Sequence, residues 1–178
     1  MTVSRLIEFG FSFLTALLVL TVISFLTLRP TLRELRSEAR GEWESFLHAV
    51  NERNELIPGL VEAIKGFEPG HGDLAEESLA ARAMAMRVRD PDRIVALVDE
   101  MERHVAQMER LVQARPELGR YPPFASRWEQ VMKIGRRVTE NRRAYNKSAK
   151  LYNRLLTPFP QNILTTVFGY VPLTAYPA

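Results

Sequence analysis

Residues 128–156 read WEQVMKIGRRVTENRRAYNKSAKLYNRLL. Nine positions in this stretch follow alternating steps of three and four: Trp128, Val131, Gly135, Val138, Arg142, Tyr145, Ala149, Tyr152 and Leu156. This spacing predicts a long helix with one face buried against its neighbours, as in a bundle or coiled coil. The small residues Gly135 and Ala149 are expected to allow close approach. We expect the charged exception, Arg142, either to extend to solvent or to pair with a carboxylate of another helix.

Helical periodicity recurs along the rest of the chain, and alternating strand patterns are absent from the sequence. Capping residues and prolines mark where the helices begin, and the segment RPELGRYPPF is expected to be a loop before the last one. The fold class is therefore predicted to be all-α, with an elongated, mostly antiparallel four-helix bundle over residues 31–157. The predicted helices cover residues 31–67, 73–88, 91–112 and 124–157.

The first of these helices contains a contradiction at residues 55–68, ELIPGLVEAIKGFE. Pro58 and Gly59, the two residue types that least favour a helix interior, interrupt a continuous apolar stripe. Because proline removes one hydrogen bond and clashes one turn back, we expect a bend near Asn54. Two interpretations remain open: one helix kinked at Pro58, which we favour, or two helices with Pro58 in the first turn of the second.

The N-terminal residues 1–30 are predicted to be a membrane anchor. The segment Phe9–Leu28 carries no charge over 20 residues, which at helical rise spans the roughly 30 Å hydrocarbon core of a bilayer. This run is longer than the apolar region of a cleaved signal peptide, and no small-residue cleavage pattern follows it. The sequence therefore indicates a retained single-pass helix that spans the bilayer over about residues 6–28.

Basic residues on the two sides of this span predict its orientation. Arg29, Arg33, Arg36 and Arg40 follow it, whereas Arg5 precedes it. By the positive-inside rule the body of the protein lies on the cytoplasmic side of the cell membrane or of an internal membrane.

The last helix is strongly basic. Residues 124–157 hold nine basic residues against Glu129 and Glu140: Arg127, Lys133, Arg136, Arg137, Arg142, Arg143, Lys147, Lys150 and Arg154. We favour compensation by acidic faces inside the bundle. Attraction to anionic lipid is the second interpretation, and its candidate residues are Arg136, Arg137, Arg143, Lys147, Lys150 and Arg154. Nucleic acid is not expected as a partner, because the aromatic residues of this helix belong to its buried seam.

The C-terminal segment 158–178 is predicted to form an uncharged tail. An antiparallel bundle returns this tail to its membrane end, where Phe159, Phe168 and Tyr170 are suited to the lipid interface. Frequent prolines equally favour a segment that folds back and caps the bundle. Both interpretations stay open.

Catalytic and metal-binding patterns are sparse. The chain has no cysteine and no motif for a phosphate loop, a nucleophile elbow or a zinc protease. His48 lies one helical turn from Glu44 and Glu52, and His104 one turn from Glu100, so a metal site between helices is conceivable. Solvated helix faces explain these pairs better, and His71 is expected to be a turn residue. We therefore expect no cofactor and no enzymatic activity.

Two separated motifs carry a resemblance to a known family. ELIPGLVEAIKGFE and RAYNKSAKLYNRLLTPFPQNILTTVFGYVP are similar to the two signature segments of the LemA family. Gly59 departs from the asparagine that is usual there. The matching positions are Leu56, Ile57, Pro58, Leu60, Val61, Lys65, Gly66, Phe67, Tyr145, Asn146, Tyr152, Asn153, Phe159, Pro160, Asn162, Phe168 and Gly169. The resemblance implies a membrane-anchored helical bundle with a short external N-terminus, and it implies no enzyme activity.

Two hypotheses of function follow from these observations. In the first, the protein is a scaffold that meets the bilayer through Phe9–Leu28 and presents helix faces to protein partners or to other copies of itself. In the second, it handles a metal or performs catalysis through its histidine and carboxylate faces. The sequence favours the scaffold, since no set of acid, base and nucleophile converges.

Overall fold

We describe a computed structural model of the chain over residues 3–67, 77, 79–80, 83, 90–159, 162 and 166–176. The bounds of the predicted second helix, and His71 with the loop around it, lie outside the described residues. Its four described positions, at 77, 79, 80 and 83, are helical.

The described residues form helices and connecting turns, and no strand is found among them. This confirms the all-α fold class. The helices are α1 (Val3–Phe67), α2 (Pro91–Ala114), α3 (Pro116–Arg120) and α4 (Pro122–Leu156). Two of them, α2 and α4, confirm the predicted third and fourth helices to within two residues at each end. The predicted loop of residues 115–124 is wrong in part, because it contains α3. Its prolines begin helices, where a missing N–H costs nothing, instead of breaking them.

The predicted anchor and the predicted first helix are one continuous helix. α1 passes through both Pro30 and Pro58, so the interpretation as two helices separated at Pro58 is wrong. Ile57 and Leu60, which flank Pro58, are fully buried. Their packing offsets a helix penalty that is about 3 kcal/mol for an interior proline. The bend near Asn54 stays a prediction.

α1 is the one helix within the described residues that is long and apolar enough to cross a membrane. Its most apolar 18-residue window has a mean hydropathy of 2.3, and 6% of that window is buried inside the protein. A core helix of a soluble protein is buried over most of its length, whereas this window is exposed.

Contacts divide the chain into two compact units. Unit 1 comprises Met1–Trp43 and Arg143–Pro177, and unit 2 comprises Glu44–Arg142. Each unit has its own buried core.

The core of unit 2 is built from the apolar stripes of all four helices. Its fully buried members are Ile57, Leu60, Val61 and Ile64 from α1, Met101 and Met108 from α2, Leu118 from α3, and Phe124 and Val131 from α4. Val131 and Val138 confirm the predicted seam, and Gly135 lies against Arg53. A methyl group added at Gly135 would make ordinary contact, 3.8 Å from the Arg53 guanidinium. Arg53 does approach Gly135, as the sequence predicts, but the space there would also hold a methyl group.

Ion pairs link the basic helix to its neighbours in unit 2. Arg142 Nη1 donates to Asp99 Oδ1 of α2 at 2.7 Å, which resolves the charged seam position in favour of pairing. Arg137 Nη1 donates to both carboxylate oxygens of Glu52, at 3.0 and 3.2 Å. These contacts agree with charge compensation inside the bundle for two of the nine basic residues.

In unit 1, α1 and α4 run antiparallel. Leu32 packs with Tyr152 and Leu156, whereas Ala39, further along α1, packs with Tyr145 and Ala149, which come earlier on α4. The seam positions from Tyr145 to Leu156 are thus buried as the sequence predicts. The tail packs against these same residues and so positions the candidate site.

Candidate functional site

The candidate site is a pair of asparagines on α4 that hold the tail by its main chain. Asn153 Nδ2 donates to the carbonyl of Leu173 at 2.7 Å, and its Oδ1 accepts from the Leu173 amide at 2.8 Å. Asn146 makes the same two bonds with the carbonyl and amide of Tyr176. We call Asn146 and Asn153 the asparagine clamp. Each asparagine amide thus binds the main-chain N–H and C=O of one tail residue. In a sheet these two groups would be paired by a neighbouring strand.

The register of the clamp follows from two elementary repeat lengths. Asn146 and Asn153 are seven residues apart, which places them on nearly the same helix face about 10.5 Å from each other. Leu173 and Tyr176 are three residues apart, and an extended chain advances about 10 Å over that distance. Because the two spacings match, both asparagines engage one extended segment that runs antiparallel to α4.

Side chains of the clamped segment fill sites beside the clamp. Leu173 packs against the Leu32 cluster and the Ala39 cluster. The Tyr176 ring lies 5.6 Å from the Trp43 ring and 6.0 Å from that of Tyr145, between ring centroids. The hydroxyl of Tyr145 donates to the carbonyl of Thr174 at 2.8 Å. The site therefore recognises an aliphatic residue, an aromatic residue three positions later, and the main chain between them.

The tail also reaches the apolar part of α1. Phe168 stacks on Phe25 with ring centroids 4.7 Å apart, and Tyr170 meets Phe25 edge-on at 6.2 Å. We call the exposed apolar residues Phe159, Val167, Phe168 and Val171 the apolar collar; each is at least 57% exposed. The tail thus caps the α1 and α4 pair and lies beside the predicted span, so neither structural interpretation excludes the other.

The two groups of motif residues occupy different units. Ile57, Leu60 and Val61 belong to the unit 2 core, with Leu56 and Phe67 packed against it. Phe67 contacts Tyr121 with ring centroids 5.7 Å apart. This motif is structural, and its Pro58, Lys65 and Gly66 are partly buried or exposed.

The second motif builds the clamp. Tyr145 and Tyr152 enter the core of unit 1, while Asn146 and Asn153 face the tail. Gly169 has φ of +73°, a left-handed conformation that glycine adopts without strain. Asn162 is helical and exposed, and Pro160 lies outside the described residues.

Sequence analysis missed the function of the asparagines. The signal was present as two Tyr-Asn pairs at seven-residue spacing, in which each tyrosine is on the seam and each asparagine is one residue beyond it. Adjacent residues on a helix project about 100° apart. A polar residue repeated at that offset indicates a second surface beside the buried one.

The candidate lipid-contacting residues are solvent-exposed, with the exception of Tyr170. Arg136, Arg143, Lys147, Lys150 and Arg154 are exposed, and Arg137 is the partner of Glu52. Phe159 and Phe168 belong to the apolar collar, and Tyr170 is half-buried against Phe25.

The histidines lie in contrasting environments. The His48 side chain is 77% exposed, with Nδ1 3.9 Å from Glu52 Oε2. His104 is buried on α2. Across the described part of the chain, no group of three histidine, cysteine or acidic residues comes together as a metal site would require.

Tyr145 and Tyr152, the tyrosines of the two Tyr-Asn pairs, are predicted to respond oppositely to removal of their hydroxyls. The hydroxyl of Tyr152 is buried without a hydrogen-bond partner among the described residues. Tyr152→Phe removes that unsatisfied group and is expected to raise the free energy of unfolding by up to about 1 kcal/mol. Tyr145→Phe removes the bond to Thr174 and is expected to lower it by about 1 kcal/mol. Urea unfolding in detergent measures both, and equal effects of the same sign would contradict the assignment.

The same burial predicts a dependence on pH. Burial raises the pKa of the Tyr152 hydroxyl above its ordinary value of 10.0, although Arg36 opposes the shift. The unfolded chain therefore ionises first, so the stabilisation is complete below pH 10 and is lost as pH rises through the folded pKa. Tyr152→Phe should flatten this alkaline loss.

Comparison with known proteins agrees with the two motifs. A search of curated proteins found no match to this chain. A scan against protein families matches residues 42–178 to the LemA family. That range covers more than half of the chain and includes both the motif in the unit 2 core and the Tyr-Asn pairs of the clamp. On this match, the chain belongs to the LemA family.

Proposed function

We propose that the protein is a membrane-anchored helical scaffold that presents helix faces to protein partners. The observation that carries this proposal is the contrast along α1. Apart from Phe25, the large apolar side chains from Phe9 to Leu26 are 37% to 73% exposed, whereas Phe25 and Leu32 are buried in unit 1. One helix therefore carries both an uncovered apolar surface and part of a folded core.

The size of that uncovered surface favours a bilayer over water. Eleven large apolar residues between Phe9 and Leu26 are exposed: Phe9, Phe11, Phe13, Leu14, Leu17, Leu18, Val19, Leu20, Val22, Ile23 and Leu26. Full burial of each such side chain is worth about 1.5 to 3 kcal/mol. Full burial of all eleven would therefore be worth about 16 to 33 kcal/mol, more than the whole stability of a typical domain, about 5 to 15 kcal/mol. A bilayer can cover such a surface without the loss of conformational entropy that a protein partner would undergo on binding.

Unit 1 supports a second contact with the membrane. Phe168 of the apolar collar stacks on Phe25, within the proposed span, so this residue is placed for the head-group layer. Arg154 lies near the Leu32 cluster, about 6 Å beyond Leu28 by helical rise. Arg143 is close to the level of Trp43, about 22 Å beyond Leu28, further than the screening length of roughly 8 Å. Lys150 lies one helical turn further from the bilayer than Arg154, about 12 Å beyond Leu28. Lipid contact is therefore proposed for Arg154, not for Arg136, Arg137, Arg143, Lys147 or Lys150.

Vesicle flotation tests the membrane attachment. The full chain is expected to float with vesicles and to stay bound at high salt, because apolar burial is not screened. A variant that lacks residues 2–28 is expected to lose this salt-resistant binding, and any remaining attachment through Arg154 should require anionic lipid and low salt. Circular dichroism checks that both proteins are helical. A folded full chain that stays behind in the soluble fraction would overturn the proposal.

The body of the protein is proposed to face the cytoplasm, because the arginines cluster after the span. The natural chain has no cysteine, so in each single-cysteine variant the thiol reagent can label this protein only at the introduced position. Cysteine at Ser37 is expected to be shielded from an impermeant thiol reagent in intact cells, and cysteine at Thr2 is expected to react. The reverse labelling pattern would reverse the orientation.

A further inference from the structure

We propose that the asparagine clamp is a docking site for an extended apolar peptide, and that the C-terminal segment of a second copy of this chain occupies it in exchange. The protein would then self-associate on the membrane by domain swapping of its C-terminal segment. This step rests on the membrane attachment proposed above, which brings copies together in one plane.

The contacts of the clamp are transferable between copies. Four of them join side-chain amides to the main chain of Leu173 and Tyr176, and a fifth joins Tyr145 to the carbonyl of Thr174. Every copy presents the same clamp and the same segment. An exchanged Leu173–Tyr176 segment therefore makes the same hydrogen bonds and packing with the clamp as a resident one. The contacts of Phe168 and Tyr170 with Phe25 are lost on its own copy and are remade on the Phe25 of the neighbour.

The length of the connecting chain favours exchange. Leu156, the last residue of α4, packs in the same cluster that Leu173 contacts. Sixteen residues, 157–172, thus leave this cluster and return to it. The helical positions at 162, 166 and 167 must unwind for this connection to extend, and its maximum reach is then about 53 Å. A helix with its side chains is about 10 Å across. The connection is far longer than its own clamp requires, and it is long enough to reach the clamp of an adjacent bundle.

Two further properties lower the barrier to exchange. Residues 155–178 carry no charged side chain, so tails of neighbouring copies do not repel each other. The apolar collar is exposed when the tail is bound to its own clamp. A connecting segment that passes between two copies can place this apolar surface against the neighbour.

Crosslinking between two single-cysteine copies tests the exchange in vesicles. One copy carries Lys147→Cys beside the clamp, and the other carries Thr174→Cys on the tail; both positions are exposed and contribute no side chain to the clamp. The two copies bear different tags and are reconstituted together, then treated with a short bismaleimide. A product that carries both tags requires a tail on another copy's clamp. We expect this product, and we expect Asn146→Ala with Asn153→Ala in the clamp-bearing copy to reduce it about tenfold or more.

A single chain that carries both cysteines is the control for the geometry, and flotation of the same sample reports attachment independently. Internal crosslinking without any mixed product, in a sample that floats, would show that the tail stays on its own clamp and would overturn the exchange. A mixed product that survives the double asparagine replacement would show association through another surface and would equally overturn it. A sample that fails to float would refute the membrane attachment instead.

Discussion

Glu102→Gln is expected to lower the free energy of unfolding by about 2 to 3 kcal/mol, because it removes the negative partner of a buried arginine. Arg53 is 1% exposed and its Nη1 pairs with Glu102 Oε1. Its Nε and Nη2 are buried and have no hydrogen-bond partner within the described part of the chain. Removing one member of a fully buried pair typically costs about 3 to 5 kcal/mol. The lower figure applies here because the Glu102 side chain is 45% exposed and water screens part of the interaction.

A matched control exists in the same unit. Glu52 pairs with Arg137, whose side chain is 45% exposed, so Glu52→Gln is expected to cost less than about 1 kcal/mol. Urea unfolding in detergent compares the two glutamine variants directly. Equal losses would show that the burial of Arg53 does not decide the effect.

A second replacement separates the charge from the packing. Arg53→Met in the Glu102→Gln background removes the uncompensated charge but keeps a long side chain in place. It is expected to recover most of the lost stability, since apolar replacement of a buried ion pair is often neutral or favourable. No recovery would indicate that Arg53 acts through a contact other than this pair.

Trp43→Ala is expected to release the tail and to lower the free energy of unfolding by about 2 to 3 kcal/mol. The Trp43 ring contacts those of both Tyr145 and Tyr176, at 5.1 and 5.6 Å between centroids. Truncation of a fully buried tryptophan costs about 3 to 5 kcal/mol, and Trp43 is half-buried, which reduces the figure. Without the Trp43 ring, Tyr176 loses a packing partner and the tail should detach from α4 more often. Hydrogen exchange at the amides of Leu173 and Tyr176 should therefore accelerate before global unfolding.

Trp128→Ala is the control for this replacement. Trp128 is also half-buried and stacks on Phe124 in unit 2, with centroids 5.6 Å apart. A comparable loss of stability is expected, but the Leu173 and Tyr176 amides should stay protected. Equal acceleration of tail exchange in both variants would show that the tail responds to general destabilisation and not to the site beside Trp43.

The sequence predicts the buried seam of this protein well. Burial of residues from Val131 to Leu156 follows directly from a step of three and four, since that repeat fixes which residues share a helix face. The pairing of Arg142 with Asp99 was one of two outcomes that physical chemistry allows for a charge on a buried face.

Prolines were predicted less well, for a physical reason. Local propensity disfavours Pro58 inside α1, but the apolar residues around it are buried by contacts that are distant in sequence. One helix through Pro58 was nevertheless the favoured interpretation, and α1 is continuous there. At residues 115–124 the prediction was wrong in part, since prolines expected to lie in a loop begin α3 and α4. Propensity alone does not distinguish a first-turn proline from a terminating one.

The clamp could not be derived from periodicity, because its ligand is the main chain of the tail. Hydrogen bonds from Asn146 and Asn153 to Leu173 and Tyr176 depend on an extended segment with no helical or strand period of its own. The spacing of the two asparagines is visible in the sequence, whereas the partner they hold becomes visible in the fold alone.

Each Tyr-Asn pair contributes to two different surfaces of α4, one that packs on α1 and one that binds the tail. The tyrosine closes the core between α1 and α4, and the asparagine next to it grips the tail. Inserting a single residue between the two pairs would turn one of them by about 100° and misalign both surfaces at once. Tail residues contact both α1 and α4. Binding of the tail therefore depends on the packing of α4 against α1, and its release would report separation of the two helices.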